Sequence, residues 1–129
     1  MDKLSTFRAF VGASQRQAVY SAMRGEEGEW FRAKVRDLIA LFETMPKVYE
    51  QDGKGEQATA YLHYFTPSAD WYITERDIST EQLQAFGLAD LYGDGGEFGY
   101  ISIEELTQCG AELDLHFEPR TLASLRKAA

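Results

Sequence analysis

Apolar residues recur at helical spacing twice in the first third of the chain. The first run extends over residues 5–23 and predicts one helix, which ends because Gly25 and Gly28 interrupt the pattern. The second run has the clearest amphipathic period in the chain, at Phe31, Val35, Leu38, Phe42 and Met45. Pro46 cannot continue a helix, so the second helix is predicted to end there.

After residue 60 the apolar period changes from about 3.6 residues to about 2, which is typical of strands. Aromatic and β-branched residues concentrate in the segments 61–65, 71–74, 86–91 and 98–103. Turn residues at 67–70 and glycines at 93–96 separate these segments in pairs, which predicts two hairpins. The segment 47–60 carries turn residues without a period and is predicted to be a loop.

The strictest alternation lies near the end of the chain and predicts a half-buried strand over residues 112–118. Its apolar positions are Leu113, Leu115 and Phe117, and its polar positions are Glu112, Asp114, His116 and Glu118. A slip of one residue would bury the charges. The three apolar side chains are therefore predicted to be buried, with Glu112, Asp114 and His116 on the other face.

Two short helices are predicted on either side of this strand. Ser102 and Glu105 have the spacing of a capping box, which predicts a helix that Gly110 ends. Pro119 is predicted to open the final short helix. The predicted fold class is α+β, with two N-terminal helices followed by a mostly antiparallel sheet of about five strands and short helices. The predicted organisation is a single domain over residues 1–129.

Composition narrows the class of protein. A chain of 129 residues with 44% hydrophobic residues can build one core. No apolar run approaches the roughly 20 residues of a membrane helix, and the first four residues lack the order of a secretion signal. A cytoplasmic protein is therefore expected. Cys109 is the only cysteine, which fits a reducing compartment, and it is interpreted as a small buried side chain near a helix end.

Charge is distributed unevenly along the chain. Residues 61–118 contain twelve acidic side chains and one basic side chain, Arg76, whereas residues 1–60 contain nine of each sign. A compact domain with this division should present one strongly negative region. Direct binding of nucleic acid requires a patch of lysine and arginine, so it is not expected. A basic protein partner fits the charge better.

Exposed aromatic residues among carboxylates are typical of a protein-binding surface for a basic partner. The period of 2 predicts that some aromatic side chains of the sheet face outward. The candidate partner-binding residues are Asp70, Glu75, Asp77, Asp90, Asp94, Glu97, Glu112, Asp114, Trp71 and Tyr100.

Other chemistries have weaker support in the sequence. One cysteine and two histidines cannot supply a structural zinc site, and the acids near residues 93–96 lack the spacing of a calcium loop. Neither a phosphate-binding loop nor a serine nucleophile motif is present. No metal, cofactor or catalytic residue is therefore predicted. Convergence of Glu75, Asp90, Asp114 or His116 in one cleft would instead favour a metal-dependent enzyme that uses clustered carboxylates.

Several stretches, in order, resemble a bacterial family known as domain of unknown function 2958. They are MRGEE at 23–27, MPKVYEQDG at 45–53, YLHYF at 61–65, DWYITE at 70–75, AFGLADL at 85–91, EFGYIS at 97–102 and ELDLHF at 112–117. The resemblance runs from about residue 23 to the end, so residues 1–22 form an N-terminal helical extension outside it. It implies no activity and no catalytic residues. It implies a context, because such proteins recur in phages, plasmids and integrated conjugative elements.

The leading hypothesis is a non-enzymatic acidic binding protein of a mobile genetic element or phage. Small acidic proteins from such elements often disarm host defences that bind nucleic acid, so the expected partner is a basic nucleic-acid-handling host protein, with the acidic surface acting as a DNA mimic. Two alternatives stay open. One is the metal-dependent enzyme, and the other is a structural or oligomer-forming accessory domain, which a large apolar patch on a symmetric contact would favour.

Overall fold

The computed structural model describes residues 2–128, and the side chains of residues 2–126. Its helices are α1 (Lys3–Phe10), α2 (Ala13–Ala22), α3 (Gly28–Thr44), α4 (Ile103–Gln108) and α5 (Leu122–Ala128), with a 3-10 turn at Gly55–Gln57. Its strands are β1 (Thr59–Ala60), β2 (Leu62–Thr66), β3 (Ala69–Glu75), β4 (Ala85–Asp90), β5 (Glu97–Ile101), β6 (Glu112–Leu113) and β7 (Arg120–Thr121). None of the helices within residues 2–128 has the length and apolar character needed to cross a membrane.

Five strands form one antiparallel sheet in the order β5-β4-β3-β2-β6, and β1 pairs separately with β7. The predicted hairpins are the pairs β2-β3 and β4-β5. The α+β fold class predicted from the apolar period is thus confirmed.

The N-terminal segment contains two helices, so the prediction of one helix over residues 5–23 is wrong. Val11 is extended between them, and Gly12 follows with no side chain. A Cβ atom on Gly12 would lie 3.1 Å from the Cβ atom of Thr107 in α4. The chain therefore turns where glycine permits α4 to approach, and the turn lets Phe7, Val11 and Val19 all reach the core.

The main core lies between these helices, α3 and one face of the sheet. Phe10 stacks on Phe42 of α3, with ring centroids 4.2 Å apart. The fully buried Tyr64 of β2 donates its hydroxyl hydrogen to the Phe10 carbonyl. The N-terminal helices are therefore built into the core.

A side chain of α2 also completes the edge of the sheet. The amide of Gln15 donates to the Leu113 carbonyl at 2.7 Å and accepts from the Leu113 N–H at 2.8 Å. These are the two hydrogen bonds that a neighbouring strand would make, so Gln15 takes the place of a strand beside β6.

The strand predicted over residues 112–118 is limited to Glu112–Leu113. Leu113 is buried and Glu112 is exposed, as predicted, but Leu115 and Phe117 are only half-buried. The alternation fails because Asp114 turns the chain, with its carboxylate accepting from the His116 N–H at 2.9 Å. Leu115 then packs against the main core and Phe117 against a second cluster on the opposite face of the sheet.

Three further predictions concern the short helices. Ser102 caps α4 by accepting from the Glu105 N–H, which confirms the capping box. Cys109 after α4 is exposed, so its interpretation as a buried residue is wrong. The final helix begins at Leu122 and not at Pro119, because Arg120 and Thr121 pair with β1.

Tyr64 makes alkaline stability testable. Burial raises the pKa of Tyr64 well above the usual tyrosine value. The unfolded chain therefore releases this proton first, and the stability gained from neutral Tyr64 is present below about pH 10 and is lost above it. Tyr64→Phe should lower the free energy of unfolding by about 1–3 kcal/mol at neutral pH, because the Phe10 carbonyl loses its donor.

The difference between Tyr64→Phe and wild type should then shrink by about 1.4 kcal/mol per unit above about pH 10. Urea unfolding of both proteins from about pH 7 to about pH 11 measures it. A constant difference across this range would contradict the burial of an ionisable group at this position.

Candidate functional site

The second face of the sheet carries a row of carboxylates at one end. Glu112 of β6 pairs with Phe65 of β2, Phe65 pairs with Asp70 of β3, and Asp70 pairs with Asp90 of β4. Paired residues of antiparallel strands project from the same face, so these side chains form one line across four strands. We call Glu112, Asp70 and Asp90 the acidic row.

Asp70 and Asp90 lie directly opposite each other, at a position where Cβ atoms are about 4.5–5.5 Å apart. Like charges in this position are destabilising. The row itself contains no lysine or arginine. Asp90 accepts from the Gly93 N–H at 2.8 Å, which compensates part of its charge through the turn.

His63 lies beside the row, between Asp70 of the row and Asp114, which is outside it. Its Nε2 atom is 2.7 Å from Asp70 Oδ1, and its Nδ1 atom is 3.0 Å from Asp114 Oδ2. Carboxylate oxygens accept hydrogen bonds, so both contacts are hydrogen bonds only when both ring nitrogens carry a proton. The imidazole stacks on Tyr72 with ring centroids 4.6 Å apart, and the His63 side chain is only 15% exposed.

The pKa of Tyr72 reflects the negative charge of this region. Desolvation raises the pKa of Tyr72, and the charges of Asp70, Asp90 and Asp114 raise it further. Tyr72 therefore lies within reach of the charges of all three aspartates.

Six of the eight acids predicted to bind a partner lie at this end of the sheet. They are Asp70, Asp90, Asp94, Glu97, Glu112 and Asp114. Asp94 is exposed in the turn between β4 and β5, where it accepts from the Gly96 N–H at 3.1 Å, and Glu97 is exposed at the start of β5. Below them, Arg126 of α5 bonds the Gly95 carbonyl and Glu56 and lines a pocket of about 380 Å³ with Asp90 and Asp94.

Glu75 and Asp77 lie elsewhere and are buried, so they are removed from an exposed binding surface. Glu75 is five residues from Asp70 along β3, or roughly 16 Å. Its carboxylate accepts from the backbone N–H groups of Tyr49 and Gln51, at 2.7 and 3.2 Å. Asp77 accepts from the N–H groups of Ser79 and Gln84. Both acids hold loops in place.

The two predicted aromatic residues also lie apart from the row. Trp71 points to the opposite face of the sheet and packs against the main core. Tyr100 is exposed on β5, on the same face as the row but at its far end, and its hydroxyl is 2.6 Å from that of Tyr49.

The four residues proposed for a metal-dependent enzyme do not converge. Glu75 holds a loop at the far end of β3, and His116 lies against Trp30 with ring centroids 5.4 Å apart. Within residues 2–128, no group of three or more His, Cys, Asp or Glu side chains is arranged to hold a metal ion.

The contact of His63 with Asp70 and Asp114 was missed by sequence reasoning. The contact with Asp70 could have been predicted from the sequence. A two-residue turn at 67–68 sets Phe65 opposite Asp70 and so places His63 diagonally from Asp70. The contact with Asp114 depends on the turn that this aspartate makes, and no periodic pattern marks it.

These features define an α+β domain with six acidic side chains at one end of an antiparallel sheet. The chain belongs to the family described as Protein of unknown function (DUF2958), whose model matches residues 36–125. The match begins within α3 and includes the whole sheet and the acidic row, whereas α1 and α2 lie outside it. No curated protein and no solved structure is significantly similar to this chain.

Proposed function

We propose that this protein is a non-enzymatic binding protein whose acidic row engages the basic surface of a nucleic-acid-handling protein. The observation that carries the proposal is the register that sets Asp70 directly opposite Asp90, in a line of paired positions that includes no lysine or arginine. Two unit charges about 5 Å apart in water repel by about 0.8 kcal/mol. A cationic partner relieves this repulsion, so the arrangement that weakens the free protein strengthens the complex.

The density of charge also suits a partner that normally holds DNA. The row spans three strand spacings, about 14 Å. One DNA strand carries about four phosphates over that length. The row with the neighbouring Asp114 supplies a similar number of carboxylates. This similarity supports a DNA mimic. The narrower proposal of a host partner, and of a mobile genetic element or phage as the source, rests on the context that the family resemblance implies.

Neutralising the row tests the proposal. The triple variant Asp70→Asn, Asp90→Asn, Glu112→Gln keeps an oxygen acceptor at each position and removes the charge. Its affinity for a short polylysine peptide at low salt should fall about tenfold, mainly through slower association, because steering depends on summed charge. Stopped-flow fluorescence measures the rate, and raised salt should reduce the wild-type rate more than the variant rate.

A matched control removes the same charge elsewhere. Glu26, Glu29 and Glu43 are exposed on the helical half, so their replacement by glutamine should slow association less than about threefold. Equal effects of the two triple variants would contradict a defined acidic site.

The same pair of variants can identify the natural partner. Proteins captured from a host lysate by the wild type and the control, but not by the row variant, should be basic and nucleic-acid-handling. A row-dependent set made of acidic or neutral proteins would contradict this class of partner.

A further inference from the structure

Three large aromatic side chains are exposed together at the other end of the face that carries the acidic row. Tyr49 is 68% exposed, Tyr100 is 55% exposed and Phe98 is 43% exposed. With Phe86 they line a pocket of about 190 Å³, whose wall also includes Glu75 and Asp52. We call these six residues the aromatic pocket. The proposed function of the acidic row does not use it.

The rings of the aromatic pocket lie close to one another. The register of β4 and β5 sets Phe86 beside Tyr100, with the rings nearly perpendicular and their centroids 5.7 Å apart. The rings of Phe86 and Phe98 are nearly parallel, at 6.4 Å. The face of an aromatic ring is the negative end of its quadrupole, so several rings beside one small pocket favour a cation there.

Tyr49 reaches the pocket through a strained backbone conformation. Its φ angle is 80°, in the left-handed region that residues with a side chain rarely adopt. Its N–H donates to the buried carboxylate of Glu75, and its hydroxyl bonds that of Tyr100. One contact of the backbone and one at the end of the side chain thus hold Tyr49 in this conformation.

The pocket is electrically negative. The hydrogen bond with Tyr49 raises the pKa of Tyr100, and desolvation and the charges of Glu75 and Asp52 raise it further. Among the described residues that line the pocket, none is basic. Aromatic rings and two carboxylates, in a pocket lined by no described basic residue, favour a cationic ligand.

We infer that the aromatic pocket binds the guanidinium group of an arginine side chain on a basic protein partner. The inference rests on the proposed function for the class of that partner. Arginine fits better than lysine because its head is planar, stacks on aromatic faces and is more weakly hydrated. A water molecule takes about 30 Å³ in the liquid, so the pocket has the volume of about six waters, enough for the head and the adjoining methylene groups.

Titration with amino-acid amides tests the inference on the wild-type protein. N-acetyl-arginine amide should shift the ring NMR signals of Phe98 and Tyr100, and the citrulline analogue, which has the same shape without the charge, should bind at least about fivefold more weakly. Lysine and trimethyl-lysine amides should also bind more weakly. Tighter binding of either one would overturn the assignment to guanidinium, and absence of ring shifts with arginine would overturn the pocket itself.

Variants locate the binding on the rings. Tyr100→Leu and Phe98→Leu remove an aromatic face from exposed positions and should each weaken arginine amide binding about fivefold. Tyr100→Phe keeps the ring and should change it less than about twofold. Tyr92 is 86% exposed and lies outside the pocket, so Tyr92→Leu is the matched control. Equal weakening by Tyr92→Leu would overturn the inference.

The proposals for the acidic row and for the aromatic pocket can be contradicted separately. The row variant Asp70→Asn, Asp90→Asn, Glu112→Gln should retain the ring shifts caused by arginine amide, since none of its positions lines the pocket. If polylysine binding depended on the row but arginine amide caused no ring shifts, only the inference about the aromatic pocket would be overturned. Ring shifts together with row-independent polylysine binding would overturn the proposed function of the row and leave the arginine site standing.

Discussion

Deleting residues 2–22 is expected to leave a chain without a cooperative fold, although the segment lies outside the family match. The deletion removes four buried core side chains, Phe7, Phe10, Val11 and Val19. Burial of such a side chain contributes about 1.5–3 kcal/mol, so the loss is roughly 6–12 kcal/mol. This is comparable with the whole stability of a small domain, about 5–15 kcal/mol. Near-UV circular dichroism and the spread of amide NMR signals measure the outcome.

Single substitutions in the same segment provide the controls. Phe10→Ala should lower the free energy of unfolding by about 3–5 kcal/mol, because it leaves a cavity beside Phe42. Leu4→Ala changes a 63% exposed residue and should cost less than about 0.5 kcal/mol. A chain beginning at residue 23 that unfolds cooperatively at the wild-type midpoint would show that the helices are an appendage.

Glu75→Ala should lower the free energy of unfolding by about 3–5 kcal/mol. The substitution leaves the N–H groups of Tyr49 and Gln51 without an acceptor, and hydrogen bonds to a charged group contribute about 1.5–3 kcal/mol each. Glu97 is an exposed acid on β5 without such bonds, so Glu97→Ala should change stability by less than about 0.5 kcal/mol. Urea unfolding measures both variants.

The same comparison separates a role in stability from a role in binding. Because Glu75 is buried, polylysine binding by the acidic row should be unchanged in the folded fraction of Glu75→Ala. If Glu75→Ala kept the stability of the wild type and bound polylysine more weakly, Glu75 would belong to the binding surface. That result would contradict its role in holding the loop at Tyr49 and Gln51.

The fold was predicted well where a periodic pattern extends over many residues. It was predicted poorly where a single polar residue sets the direction of the chain. The period of α3 and the two hairpins were readable because many side chains repeat the same signal. Asp114 ends β6 by a turn that uses its own carboxylate, and one residue overrides the alternation around it.

The acidic region was predictable in composition but not in arrangement. The sequence shows twelve acids in one half of the chain. It does not show that Asp70 and Asp90 lie opposite each other on adjacent strands, or that Glu75 is buried under a loop. Glu75 carries the same charge as the other acids of this half. Only the position of the loop at Tyr49 and Gln51, set by contacts distant in sequence, distinguishes its role.

The Gln15 amide beside β6 bears on how copies of this chain can assemble. It occupies the outward N–H and C=O of Leu113, so within residues 2–128 one border of the five-stranded sheet is closed and β5 forms the other. Strand-by-strand growth of a fibril needs two borders per molecule, one for each neighbour. A molecule with one available border pairs once and then stops. Within the five-stranded sheet, one glutamine side chain thus acts against strand-by-strand polymerisation, because it leaves β5 as the single border for pairing.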